Sequence, residues 1–361
     1  MTGVALSALS VVLAACGSTS AGGHSGTSGP TPSSISKGSA AGGNSAAGGN
    51  LADVAYAGSL QLLNEKGVGP AFEKATGLRY RGRGGGSLGL SKEIQAQEIA
   101  PNVFESVGSA PVKPLEPKFT NWYVRFAASP IVVAYSATSP FAHQLGQIAA
   151  GKLPLSELFT LMASPGFKLG RTNPATDPQG QGFAEMIQLA TSQLHLPAGT
   201  PSRIMGSLTT SPQIFSETSL DAHLQAGQLD AASAFLSQAV QLHLPYISLP
   251  PTMNLGDPSY ASTYAKATLA LPGGKTVHGS PLSIDATTIG KSHLAAADAF
   301  IAYTLSPAGR NLYSKAGYTL LPPTAEGDVA AVPAAVRKYV TTASGSAGSA
   351  GSGSAGSGSA G

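Results

Sequence analysis

Residues 122–136 read WYVRFAASPIVVAYS, the longest run rich in aromatic and β-branched residues in the chain. Such a composition fits a pleated, largely buried surface, but Pro130 has no amide to give a central strand and falls near the middle of the run. The sequence therefore predicts two short strands, Trp122–Ala128 and Ile131–Tyr135, bent at Ser129-Pro130. A chain that leaves one sheet, bends and enters another is crossing between domains. The stretch reads as the hinge of a two-lobed α/β protein.

Upstream of the hinge, residues 53–57 (DVAYA) form a short strand that runs into Gly58-Ser59 and an apolar-patterned helix, kinked or divided at Pro70 and stopped at Gly77. Residues 78–83 alternate as a second strand, and Gly84-Gly85-Gly86-Ser87 opens a helix over residues 88–100. A third strand follows at residues 103–107. Strand, glycine-serine turn and helix thus occur twice in succession, the pattern of a parallel βαβ sheet. Downstream, the expected order is a helical hairpin (141–150, 155–163), a strand (168–171), helices at 182–194 and 218–226, and strands at 230–235 and 246–249. Strands at 267–271 and 283–288 are expected to return to the first lobe, followed by helices at 295–305, 307–315 and 332–341. This assigns residues 51–129 and 269–341 to lobe one and 130–268 to lobe two, with crossovers near 127–132 and 265–271.

Both ends of the chain are of low complexity. Residues 17–50 are almost entirely Gly, Ser, Ala, Thr, Asn and Pro, and residues 343–361 contain only Gly, Ser and Ala. Neither can bury enough apolar surface to offset its ordering entropy, so a flexible linker and a flexible tail (342–361) are expected. Charged residues make up 11% of the 361, the net charge is +3, and no basic run stands out, which argues against a nucleic-acid partner. The single cysteine, Cys16, excludes an intrachain disulfide. It closes the apolar stretch 4–15, which is too short to span a bilayer but has the length of a signal-peptide core. Its setting, Leu13-Ala14-Ala15-Cys16, resembles the bacterial lipobox, whose cysteine is lipidated as the first mature residue, although no Lys or Arg precedes the apolar core. A linker of that length reaches about 30 Å, enough to hold a globular body clear of the outer face of a cytoplasmic membrane.

In open parallel sheets ligands sit beyond the carboxyl ends of the strands. Ser59 and Ser87 both lie there, preceded by Gly58 and Gly86 and placed at helix starts, where free N–H groups favour an anion. Each serine is either an ordinary N-cap or a ligand contact. Their repetition in two successive units favours ligand contact.

The runs AGSL (57–60), GGGS (84–87), WYVRFAASPIVVAY (122–135), GRTNPATDPQGQG (170–182), YISLPPTMNLGDPSYASTY (246–264) and LSPAGRNLYSKAGY (305–318) resemble the solute-binding proteins of molybdate/tungstate ABC transporters, above all their archaeal-type branch. The likeness covers about residues 52–323. It implies a monomeric, periplasmic-binding-protein-like (type II) clamp, without enzymatic activity or cofactor, that closes on a tetrahedral oxyanion and hands it to a permease. It implies that Ser59 and Ser87 contact the anion and that Asp177, in the G-R-x-x-P-x-x-D-P loop, and Glu217 act as carboxylate ligands to its metal centre. A carboxylate repels sulfate or phosphate; it suits only a high-valent metal able to add hard oxygen ligands. The bland alternatives are a turn before Pro178 for Asp177 and a helix-start carboxylate for Glu217. Two positions depart from the family pattern: Phe235 stands where a tyrosine is expected, and Asn102 where an aspartate is common. Arg81 and Arg83 precede the second serine turn and read as solvated strand-edge charges.

A binding protein of the same fold for sulfate or another small anion is the nearer alternative, motivated by Phe235. A serine hydrolase is the distant one: Gly85-Gly86-Ser87-Leu88-Gly89 fits G-x-S-x-G, with Asp257, Asp285, His278 and His293 as triad candidates. Three glycines in five residues carry little weight in a chain with 45 of them. The seven histidines lie far apart and show no zinc-binding spacing.

Overall fold

The computed structural model describes residues 49–290 and 295–342. Cys16, the apolar stretch before it and the low-complexity segments 17–48 and 343–361 lie outside the described residues. The hinge stretch forms two strands with the expected bounds, β4 (Trp122–Ala128) and β5 (Ile131–Tyr135), and they belong to different sheets. Pro130 sits between them, where its missing N–H breaks no ladder. Its carbonyl accepts from Leu236 N–H at 2.9 Å, and Ile131 N–H donates to the Asn254 carbonyl at 2.8 Å.

The larger sheet has seven strands in the order β13-β12-β4-β11-β3-β1-β2. Its parallel part is the predicted βαβ unit: β1 (Leu51–Ala57) lies between β2 (Arg79–Gly85) and β3 (Val103–Val107) and runs parallel to both. Inner strand β3 is buried throughout, as a strand covered on both faces must be. Edge strand β2 carries its arginines outward, Arg81 on Asp53 and Arg83 on Glu93, both well exposed, as the sequence suggested. β11 (Ser283–Thr288) pairs antiparallel with β3 and β4, and β12 (Thr319–Gly327) with β4. The smaller sheet has the order β6-β7-β5-β8, built from β6 (Leu169–Gly170), β7 (Ala231–Phe235), β5 and β8 (Tyr246–Ile247). Each sheet carries its own helices, and the molecule is the expected two-lobed α/β body.

Several elements differ from expectation. Residues 267–271 do not return to the larger sheet: β9 (Thr268–Ala270) pairs only with β10 (Thr276–His278) in a separate hairpin. The chain rejoins the larger sheet at β11, and Leu282 just before it accepts from Ser129 N–H at 3.3 Å and donates to the Leu255 carbonyl at 2.7 Å. Expected helix 332–341 is instead the short helix Ala334–Arg337 and strand β13 (Thr341–Thr342). β12 went unforeseen because Pro322-Pro323 interrupts it; the register against β4 shifts between Leu320 and Thr324 to pass the prolines. Pro70 does divide its helix. A π-helical turn (Asn64–Val68) precedes Gly69–Thr76, and Pro70 falls in the first turn of that second segment, where a missing N–H is tolerated.

Candidate functional site

The two glycine-serine turns end β1 and β2 side by side, and the second lobe covers them. Gly58–Leu60 is a 3-10 turn in which Ser59 is buried and caps nothing. Ser87 is the first residue of the helix Ser87–Gln95, whose cap is Gly86. Neither serine is therefore the N-cap it resembled in the sequence. Ser59 Oγ has no hydrogen-bond partner among the described residues. Ser87 Oγ accepts from Val107 N–H at 3.2 Å, which leaves its own proton to give.

From the second lobe come Asp177 and Glu217, and the chain has a local reason for each position. Asp177 is extended (φ −139°), caps the helix Pro178–Gln193 and accepts from Gln179 N–H at 2.8 Å, with Pro178 in the favoured first helical position. That cap starts the helix four residues before the expected 182. Glu217 is the first residue of the helix Glu217–Gln225, behind the Ser216 cap. Both bland readings are therefore met, but each uses only part of its carboxylate. Glu217 lies near enough to the Ser59 N–H of the facing lobe for that dipole to pull its pKa down, while its Oε2 is buried without a hydrogen-bond partner among the described residues. Gly58 is required here, since a Cβ on it would overlap Glu217 Oε2.

The six residues singled out divide as follows. Gly58, Gly86, Asp177 and Glu217 line one cavity of about 390 Å³, together with Gln61, Thr172 and Thr176. That is near the small end of ligand cavities. Ser59 lies at its margin and lines a neighbouring cavity of about 250 Å³ that shares Gly58 and Gln61 with it. Ser87 lines neither and backs the second turn. The lobes touch around the site: Gly89 N–H donates to the Thr176 carbonyl at 3.0 Å, and Lys92 Nζ to that of Ala175 at 3.4 Å.

Charge in this cavity is unusual. Burial pushes the Asp177 carboxyl up to about 7, against the pull of the Gln179 N–H. Burial also raises Glu217 well above the carboxylate range, with the charge of Asp177 and then that of Asp221 adding to it. Two carboxyl groups that repel each other are thus held in a closed space. Asp221, one helical turn beyond Glu217, is pushed up to about 7 by burial. Among the described residues no group of three or more His, Cys, Asp or Glu is arranged to hold a free metal ion.

The two departures from the family pattern have structural explanations. Asn102 accepts from Asp53 N–H at 2.8 Å and donates to the Leu51 carbonyl at 2.7 Å, so it fastens β1 and does not serve the cavity. Phe235 is buried in the hydrophobic core at the end of β7, where its N–H donates to Gln238 Oε1. The sequence reading missed a hydroxyl that does lie beside the site. Tyr318 is buried, donates to the Ser59 carbonyl at 3.0 Å and is near enough for the charge of Glu217 to act on it. Its signal was the quoted run 305–318, which ends on this residue. The hydrolase candidates are not assembled: Val107 N–H occupies Ser87 Oγ, Asp285 is paired with Arg125, and His278 lies on the exposed hairpin. His293 lies outside the described residues.

A model of the bacterial extracellular solute-binding protein family matches residues 52–319. The chain belongs to that family. Among its relatives is a candidate ABC transporter molybdenum-binding protein of Haloferax volcanii, 31% identical over 231 residues, which are 64% of this chain and 70% of that one. The molybdate/tungstate-binding protein of Thermococcus kodakarensis is 26% identical over 60% of this chain and 65% of its own. The solved periplasmic molybdate-binding protein of Azotobacter vinelandii shares the fold, with a TM-score of 0.50 at 18% identity over 74% of this chain and 98% of that one. Members of this family are solute-binding transport proteins, and this one presents its cavity between the lobes. Among the described residues no helix is long and apolar enough to cross a membrane.

Proposed function

We propose that this solute-binding protein captures a molybdate- or tungstate-type oxyanion between its lobes and delivers it to the permease of an ABC importer. The observation that carries the reading is the buried pair Asp177 and Glu217, closed over the Gly58-Ser59 and Gly86-Ser87 turns. A site for sulfate, which carries no proton to give at neutral pH, is served by donors. Here Glu217 Oε2 is buried and unpartnered, and a carboxylate oxygen brought against a fully ionised oxyanion gains when the central atom is a metal that adds oxygen ligands. In this arrangement Ser59 Oγ and the turn amides donate to the anion's oxygens, while Asp177 and Glu217 face its centre. The names of the Haloferax and Thermococcus relatives support the same ligand class.

The residues Leu13-Ala14-Ala15-Cys16 support an extracytoplasmic lipoprotein anchored through Cys16. The deciding experiment on the ligand is a thermal-shift screen of the full chain against molybdate, tungstate, sulfate and phosphate. A ligand that binds only the folded state must raise its melting temperature. Molybdate and tungstate are expected to do so. A response to sulfate alone would replace this reading with a sulfate-binding one.

A further inference from the structure

We propose that Thr172 is a further ligand contact: its buried, unpaired hydroxyl is the neutral donor with which the second lobe holds an oxygen of the captured anion. This role rests on the proposed function and extends the site to a residue beyond the six singled out above. Thr172 lines the same cavity as Asp177 and Glu217, is 1% exposed, and its Oγ1 has no hydrogen-bond partner among the described residues. Two other hydroxyls of that wall are engaged: Ser216 Oγ accepts from Ser219 N–H at 3.3 Å, and Thr176 Oγ1 reaches the Asn173 carbonyl at 3.5 Å.

The backbone holds this side chain from both sides. Arg171, the residue before it, is fully buried; its N–H donates to the Gln213 carbonyl at 2.8 Å and its carbonyl accepts from Phe215 N–H at 3.0 Å, which lays the segment ahead of Glu217 alongside the end of β6. The Arg171 guanidinium donates to the carbonyls of Met205 (3.1 Å), Ser207 (2.6 Å) and Leu208 (3.0 Å) and to Gln213 Oε1 (3.2 Å), and so fixes the loop that leads into that segment. Opposite, the first turn of the helix Pro178–Gln193 presses on Thr172: a Cβ on Gly180 would stand 2.5 Å from the Thr172 carbonyl oxygen. A β-branched side chain on so fixed a backbone has few rotamers, so its hydroxyl loses little freedom on meeting a ligand. The chemistry of the wall calls for such a donor. Asp177 and Glu217 face the anion's centre, and as ionised groups they repel its oxygens. A hydroxyl beside them offers an oxygen on that side a proton without adding charge. Left unpaired and buried, the same hydroxyl lowers the stability of the ligand-free protein, and an arriving acceptor offsets that loss. The competing role is service to Asp177 alone: burial raises that carboxyl, and the Gln179 N–H and the Thr172 hydroxyl both pull it back.

Thr172→Val keeps the shape of the side chain and removes the hydroxyl, whereas Thr172→Ser keeps the hydroxyl. In the full chain, titration calorimetry with tungstate should show Thr172→Val binding roughly tenfold more weakly than the parent, and Thr172→Ser binding within about threefold of it. Without ligand, scanning calorimetry should show Thr172→Val melting higher than the parent by about 2 °C or more, since a buried hydroxyl without a partner has been removed. Thr304 is the control. Its Oγ1 is equally buried and unpartnered among the described residues, but it sits in the helix Ala295–Leu305 and lines neither cavity. Thr304→Val should therefore raise the melting temperature and leave tungstate affinity unchanged. Unchanged tungstate affinity in Thr172→Val, or an equal loss in Thr172→Ser or Thr304→Val, would overturn the proposal. A lower melting temperature for ligand-free Thr172→Val would overturn it as well, and would assign the hydroxyl to Asp177 as a structural bond. A parent that answers to sulfate and not to tungstate would remove the proposed function alone; the Val and Ser variants are then compared with sulfate, whose oxygens a hydroxyl serves equally. A parent that binds neither anion takes both readings with it.

Discussion

Replacing Asp177 with asparagine separates the two roles this side chain holds. Asparagine caps a helix about as well as aspartate, so the bond from Gln179 N–H and the start of the Pro178–Gln193 helix survive. What is lost is a buried negative charge. Burial raises its pKa from 3.8 to about 7. A carboxyl with a raised folded-state pKa contributes fully below its unfolded value, and its contribution declines as pH climbs toward the folded one. Three units correspond to about 4 kcal/mol against the ionised form once the pH exceeds about 8. Relief of even half of that should raise the melting temperature of the ligand-free Asn variant by about 5 °C at pH 8, at roughly 2–4 °C per kcal/mol. The same substitution removes a contact to the proposed metal centre, a charge-assisted interaction of roughly 1.5–3 kcal/mol, so tungstate affinity should fall about tenfold to a hundredfold. Sulfate affinity should hold or rise. Differential scanning calorimetry with and without tungstate, paired with titration calorimetry, reads both signs. A ligand-free variant that melts lower, with its tungstate response intact, would falsify the assignment of Asp177 and leave it a helix cap alone.

Four further outcomes follow from the same geometry. Gly58→Ala places a Cβ on Glu217 Oε2, so it should weaken tungstate binding by more than about tenfold and enlarge the radius seen by small-angle scattering, both signs of incomplete closure. Ser59→Ala should weaken binding of every oxyanion by about tenfold or more, whereas Ser87→Ala should chiefly cost stability, about 1 kcal/mol, because Val107 N–H loses its acceptor; equal effects on binding would show that Ser87 also contacts the ligand. Glu185 is pushed up to about 8 by burial, so its contribution to stability is present below pH 4.5 and lost as pH rises to 8; Glu185→Gln should flatten the fall in stability between pH 5 and 9 by an amount on the order of 4 kcal/mol, measured by urea unfolding. Cys16→Ser should move the exported protein from the membrane fraction to the soluble one, and an unlipidated, fully soluble parent would end the lipoprotein reading.

What the sequence made legible was whatever local chemistry forces. Pro130 inside a β-rich run leaves few options, and β4 and β5 have the bounds the run predicts. The repeated glycine-serine turns after β1 and β2 were legible because strand, turn and helix each carry a local signal. The partners of β9 and β12 were not legible. A three-residue strand looks the same in a hairpin as in a large sheet, and Pro322-Pro323 hides a strand whose ladder is broken and then resumed. At the site, sequence could nominate Asp177 and Glu217 but could not show that one cavity brings them together, since that depends on how the lobes meet. Tyr318 escaped notice for the same reason: its hydroxyl serves the carbonyl of Ser59, which is far from it in the chain.

The larger sheet begins with β1 and ends with β13, so both ends of the described chain leave from the same lobe. Mechanically, a pull applied at either end is borne by that lobe alone and exerts no torque across the hinge. The other lobe is suspended from two crossing segments and carries none of the load. If the lobes close on ligand as proposed, a protein fixed by one end to a bead, a resin or a bilayer keeps that motion, and one tethered by both ends is not strapped closed.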